Sequence, residues 1–205
     1  MPDIVYVLNN QSMPGLVKIG KTNQDDVRVR MSQLYTTGVP LPFECVLAIE
    51  VDDCTMVERS LHDAFGPSRF NPSREFFQID EDQATAILQL LIDTGAAKDA
   101  TPQVNAELNA NVSQAERDAS QYLRRPSLDF KEMDIPVGSI LDFRDGCQQV
   151  EVISNKKVRY QGEEASLTAV TKELLGRDRS VRPVRFWTYE GKSLKKIYNE
   201  TYGPA

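Results

Sequence analysis

The sequence predicts an α/β protein in two domains: a small mixed N-terminal sheet flanked by helices, then a C-terminal α+β domain with an antiparallel meander. Three observations carry this. Near the N-terminus two strand-like runs face each other across Pro14-Gly15. Apolar residues at helical spacing then alternate with further strand-like runs up to about residue 95. After a polar stretch, short β-rich runs divided by Asp145-Gly146 and Asn155-Lys156 resume beyond Ile135.

The first hairpin pairs Ile4 to Leu8 with Leu16 to Thr22. Side chains alternate between faces along a strand, so Val5 and Val7 share one face with Val17 and Ile19. The other face carries Ile4, Tyr6 and Leu8, with Lys18 and Gly20 on the return strand. Tyr6 and Lys18 are therefore expected as neighbours. Asn23 to Asp26 reads as a helix start, with acidic residues in the first turn and Val27, Met31 and Leu34 spaced for one apolar face. Gly38 and Pro40 end it. Phe43 to Val51 is nearly continuous in apolar residues, as in a strand covered on both sides. A second helix, Cys54 to Phe65, turns Val57, Leu61 and Phe65 inward and puts Glu58 and His62 one above the other on an adjoining stripe. Gly66-Pro67 stops it. Glu75 to Ile79 reads as a short strand, and Asp80 or Asp82 caps a helix that runs to Gly95. These elements define a first domain over residues 1–95.

Residues 96–125 are rich in Ala, Asn, Gln and Asp and carry one aromatic, Tyr122, so little apolar surface is available to offset the entropy of ordering. They read as a linker, helical in part over Gln114 to Arg125. In the second domain, residues 126–205, strands are expected at Ile140 to Phe143, Val150 to Ile153, Val158 to Tyr160 and Phe186 to Tyr189. Ser166 caps a helix that Gly176 ends, and Ser193 caps a last helix to Tyr202.

Composition narrows the function. No apolar run approaches the ~20 residues that cross a bilayer, and Met1-Pro2-Asp3 does not resemble a signal peptide, so a soluble, cytoplasmic protein with no membrane partner is expected. Cys45, Cys54 and Cys147 are widely spaced and share one histidine, which offers neither a disulfide framework nor a zinc site; buried or half-buried free thiols are expected. The net charge of -6 argues against a nonspecific nucleic-acid coat. Charge is uneven, however: residues 1–95 hold 7 Lys+Arg against 14 Asp+Glu, and residues 126–205 hold 13 against 12. The second domain is the better electrostatic handle for DNA.

Tyr6, Lys18, Arg28, Arg30, Glu58 and His62 are the groups one would gather around a phosphodiester. Their order resembles the GIY-YIG nuclease superfamily, with Ile4-Val5-Tyr6 as the first triplet and Lys18-Ile19-Gly20 as the second. The bacteriophage-associated subgroup is similar in three further places: Lys18 to Thr22, the Glu58-to-His62 helix, and Arg74-Glu75-Phe76-Phe77. The resemblance spans roughly residues 3–92. It implies a metal-dependent DNA endonuclease in which Tyr6 is the general base, Arg30 (or Arg28) meets the phosphate, and Glu58 holds one Mg2+ or Mn2+. A single carboxylate suits magnesium, which keeps much of its hydration shell.

Tyrosine is a poor base unless a nearby positive charge lowers its pKa, and Lys18, which replaces the usual tyrosine of the second triplet, is the expected charge. The alternative for Lys18 is a surface lysine beside a packed tyrosine, and for Arg30 and Glu58 a solvated helix position. His62 either relays a proton or is a hydrogen-bonded structural histidine. Arg74 and Glu75 read as a salt bridge that pins the last strand. The late asparagine of the superfamily has Asn71 as its nearest counterpart. Lys21 and the arginines Arg177, Arg179, Arg182 and Arg185 are candidate nucleic-acid contacts, and Trp187 belongs to the core or stacks on a base. The C-terminal half resembles a module appended to restriction enzymes and adenine methylases, through Ser166 to Val170, Phe186-Trp187 and Gly191 to Leu194.

These residues predict an endonuclease of phage or bacterial DNA processing or restriction. A nuclease-like protein that binds DNA without cutting, and a regulatory protein that does not touch DNA, are the alternatives. A one-site nuclease must dimerise or act twice to break both strands, which keeps a homodimer among the expected partners.

Overall fold

The computed structural model describes residues 3–23, 27–34, 39–110, 112–122, 126–176 and 181–203, without the side chains of Asn23, Arg28, Gln121 and Tyr122. The expected helix start at residues 24–26 and the stop at Gly38 lie outside these. Two compact units divide the chain, residues 1–124 and 125–205.

In the first unit β1 (Asp3–Asn9) and β2 (Val17–Asn23) form the expected hairpin. Met13 to Leu16 closes it as a turn in which the Leu16 N–H donates to the Met13 carbonyl and Gly15 takes φ +77°, the positive value that a type II turn places after its proline and that favours glycine. Then come α1 (Val27–Leu34), β3 (Glu44–Val51), α2 (Cys54–Ala64), β4 (Phe76–Phe77) and α3 (Glu81–Asp93). Asp80 caps α3, and the Gln83 side chain answers with a bond to the Asp80 N–H, so two end donors are satisfied reciprocally. The sheet order is β4-β2-β1-β3 with β5 (Lys98–Asp99) at the far edge, antiparallel in every pairing.

Strand alternation splits the core in two. Val5, Val7, Val17, Ile19, Leu47 and Ile49 pack against Leu61 of α2 and Leu88 of α3. Ile4, Tyr6 and Leu8 face the other way, onto Val27 and Met31 of α1.

That second face requires a correction to the linker expected at residues 96–125. β5 pairs with Ile49 and Glu50 of β3, and α4 (Thr101–Asn109) buries Val104 and Leu108, with Ala100 just before it, beneath Ile4 and Tyr6. A stripe at i, i+4 and i+8 needs few apolar residues, so average composition hides it. The polar residues also have a role: the Asn105 amide donates to the Cys45 carbonyl and accepts from its N–H, while the Ala48 N–H donates to the Thr101 hydroxyl. They close the edge of β3 where no strand continues. Only α5 (Gln114–Tyr122) follows the helical part of the expectation.

The second unit holds a sheet of order β11-β10-β6-β7-β8-β9, all antiparallel. β6 (Ile140–Phe143), β7 (Gln149–Val152), β8 (Val158–Tyr160) and β10 (Trp187–Tyr189) match the expected strands; β9 (Glu163–Ala165) and β11 (Lys192–Ser193) are additional. α6 (Leu167–Leu175) runs between Ser166, which caps the Ala169 N–H, and Gly176 at φ +61°; α7 (Leu194–Tyr202) closes the fold. Trp187 lies in this core, and its indole N–H donates to the buried Thr171 hydroxyl at 2.8 Å. Of the three thiols, Cys45 and Cys54 are buried and Cys147 is exposed, a departure from expectation explained by its place in the tight turn after Asp145.

Candidate functional site

The hairpin register sets Tyr6 opposite Gly20. A Cβ at Gly20 would lie 2.8 Å from the Tyr6 hydroxyl oxygen and 2.9 Å from two ring carbons, so the missing side chain is what lets the phenol lie across β2. The ring is wholly buried, and its hydroxyl accepts a hydrogen bond from Arg30 Nε at 3.1 Å. Arg30 sits on α1 between the inward residues Val27 and Met31, with its side chain 34% exposed, so the guanidinium is the group that connects the phenol to solvent.

Tyr6 and Lys18 share a face as diagonal neighbours, but Lys18 is not the charge that meets the phenol. Lys18 stands opposite Leu8, two positions along, and its ammonium bonds Glu75 Oε2 at 2.6 Å over the ring of Phe76. The charge beside the phenol is Arg30. Nor does the phenol become more acidic: burial raises its pKa above the usual tyrosine value, outweighing the hydrogen bond and charge of Arg30, while Glu75 and Glu58 raise it further. It rests as a neutral acceptor.

The salt bridge between Arg74 and Glu75 is likewise corrected. Glu75 Oε2 bridges Lys18 and, at 3.5 Å, Arg30 Nη2, whereas Arg74 is exposed and uses its carbonyl to accept from Arg69 Nε. Burial, the largest influence, pushes the Glu75 carboxyl up, but the Lys18 hydrogen bond and the charges of Lys18, Arg30 and His62 together bring it below its ordinary value. Strand direction explains the rearrangement: the Ile19 N–H bonds the Glu75 carbonyl, which carries Glu75 over Lys18 and away from its sequence neighbour.

On the opposite sheet face, α2 begins at Asp53, whose carboxylate caps the Met56 N–H, and its buried Leu61 fixes the direction of Glu58 and His62. The Glu58 side chain is 13% exposed and lies 3.3 Å from Lys21 Nζ, which also donates to the Thr55 hydroxyl at 2.9 Å. His62 Nε2 is 3.1 Å from the Ile19 carbonyl and its ring packs on Phe77. A carbonyl only accepts, so Nε2 carries a proton there. This contact ties His62 to β2. β4 pairs with Val17 and Lys18 and the Ile19 N–H bonds Glu75, so strand pairing on this side of β2 ends at Ile19. Across the sheet the Glu58 charge acts on both Tyr6 and Arg30.

The structure therefore forms two groups on opposite faces of the sheet, Tyr6, Arg30 and Lys18 on one and Glu58, Lys21 and His62 on the other, and adds Glu75 and Gly20 to the first, which sequence reasoning did not place in the site. Signals for both were present: Gly20 closes the second triplet, Lys18-Ile19-Gly20, and Glu75 lies within the Arg74 to Phe77 run. Asn71 is exposed and accepts from the Ser73 N–H in its own turn. Arg177 and Arg179 lie outside the described residues; Arg182 is exposed ahead of a 3-10 turn, Pro183–Arg185, and Arg185 is half-buried.

As donors for a metal, the described residues present no group of three or more His, Cys, Asp or Glu. The nearly buried carboxylate of Glu58 fits a hard cation that retains its waters, with Lys21 as the group that must yield.

The first unit is thus a mixed α/β domain whose antiparallel sheet carries Tyr6 and Arg30 on one face and Glu58 on the other. Residues 3–92 match the T5orf172 domain, a GIY-YIG-like, phage-associated domain of nuclease type. The match runs from β1 to the end of α3 and leaves β5, α4 and the second unit outside. No curated protein matches the chain. No helix among the described residues is long and apolar enough to cross a membrane.

Proposed function

We propose that the chain is a metal-dependent DNA endonuclease of phage or bacterial DNA processing or restriction, acting in the cytoplasm, whose first unit cuts and whose second unit holds or positions DNA. The observation that supports it is the hydrogen bond from Arg30 to Tyr6 beside β2, with Glu58 of α2 on the other face of the same sheet and its charge acting on both. Phosphodiester hydrolysis requires a base for water, positive charge on the phosphate oxygens and help for the departing oxygen. Arg30, exposed by about a third, presents its guanidinium to a phosphate oxygen. In turning toward that anion it uncovers the phenol it shields at rest; the phenol gives up its own proton to solvent, and the Tyr6 phenolate then takes the proton of the attacking water. Mg2+ or Mn2+ on Glu58 would supply positive charge to the phosphate and the leaving oxygen. Lys21, displaced from Glu58, becomes a phosphate contact. In the second unit Arg177, Arg179, Arg182 and Arg185 provide the DNA-holding charge. A single site nicks one strand, so breaking both requires a homodimer or two encounters.

Purified protein with magnesium or manganese is expected to nick plasmid DNA. Glu58→Ala and Tyr6→Phe should each reduce nicking by at least about a hundredfold, the order of one general base or one charge-stabilising group, while the far-UV circular dichroism stays native. Nicking that persists in both variants refutes the assignment. One observation favours a second reading, DNA binding without cleavage: the buried phenol with a raised pKa. A gel shift in EDTA, with no nicking after metal is added, would select it.

A further inference from the structure

Resting on the reading of Arg30 as the group that meets phosphate, we infer that Glu75 is a positioning residue that holds the Arg30 guanidinium over the Tyr6 hydroxyl. The bonds run in series. The Ile19 N–H fixes the Glu75 backbone, Lys18 Nζ fixes its carboxylate at 2.6 Å, the same oxygen reaches Arg30 Nη2 at 3.5 Å, and Arg30 Nε reaches Tyr6 at 3.1 Å. The first two anchors are firm because Lys18 cannot leave: its side chain is 7% exposed, and its ammonium lies over Phe76.

Two cations within reach of one oxygen repel each other unless an anion lies between them, and Glu75 supplies that anion. The bond to Arg30 is the longest of the series, at the limit of a hydrogen bond. It orients the guanidinium and still lets it pivot toward a substrate oxygen, the stronger, bidentate partner. Lys18, which the sequence places beside the phenol, thereby acts two residues removed, by fixing the carboxylate that fixes the arginine.

The test reads Arg30 directly. Its Nε–H resonance, followed by 15N NMR and assigned by its loss in Arg30→Lys, should exchange with solvent slowly in the native chain and about tenfold or more faster in Glu75→Ala, as befits the loss of a charge-assisted bond. Glu75→Asp should fall between. Because Glu75→Ala leaves the Lys18 ammonium buried and unpaired, Lys18→Met/Glu75→Ala keeps the test usable if the single variant unfolds. Unchanged Arg30 exchange in that folded double variant overturns the inference. In nicking assays kcat should fall with little change in KM, a split that general loss of stability would not produce. Fast Arg30 exchange in the variants of a protein that never nicks DNA would sink the nuclease reading and leave the role of Glu75 standing; nicking with unchanged exchange would do the reverse.

Discussion

Gly20 makes the tyrosine site possible by what it lacks. A methyl group there meets the phenol oxygen at 2.8 Å and two ring carbons at 2.9 Å, and the buried ring has nowhere to retreat. Gly20→Ala is expected to cost about 1–3 kcal/mol, read from the urea midpoint, and to disturb the bond between Arg30 and Tyr6. Tyr6→Phe in the same chain should not restore stability, since the ring carbons remain equally close. Glu75 has a pH signature of its own. Its folded-state pKa lies below the unfolded value, so its ion pairs stabilise the fold above the ordinary carboxylate range, and that stability is lost as pH falls through the folded-state value. Lys18→Met/Glu75→Gln should therefore flatten the fall in stability as pH drops through and below the ordinary carboxylate range, measured as urea midpoints along a pH series. A native-like slope in the variant would show that other carboxylates dominate acid unfolding.

Among the elements, α4 matters most beyond the T5orf172 match. Val104 and Leu108 share with α1 the covering of the sheet face from which Tyr6 and Ile4 project, so a first domain ended at Gly95 leaves part of that face uncovered. A chain truncated after Gly95 is expected to aggregate, whereas one ended after Tyr122 should remain soluble with cooperative thermal unfolding; equal behaviour of the two would contradict the role given to α4. Asn105→Ala should cost about 1–3 kcal/mol by chemical denaturation, because the N–H and carbonyl of Cys45 lose their partner. α2 works differently, since its apolar stripe sets the height of Glu58, and His62 ties the helix to the Ile19 carbonyl on β2.

At the scale of the whole molecule, each unit has its own core, and charge divides with them: the first 95 residues are strongly acidic and the last 80 near neutral. If the second unit holds DNA, Arg182→Gln/Arg185→Gln should lower affinity and reduce the slope of log K against log salt by about 0.9 for each phosphate no longer neutralised, measured by fluorescence anisotropy in EDTA. An unchanged slope would move DNA binding elsewhere. The order of strands and helices is legible in the chain because each depends on local spacing: Val5, Val7, Val17 and Ile19 alternate, Asp80 and Ser166 cap, and Gly176 terminates. So are Tyr6, Arg30 and Glu58 as candidates, through their order along the chain. The partner of Lys18, the folding of residues 96–110 onto the sheet, and the resting state of the phenol are not. Those depend on which groups, from 45 to 60 positions apart, meet at one strand edge or one sheet face. Local spacing carries no record of such meetings; hairpin register and burial impose them, and with them the charge that each side chain feels.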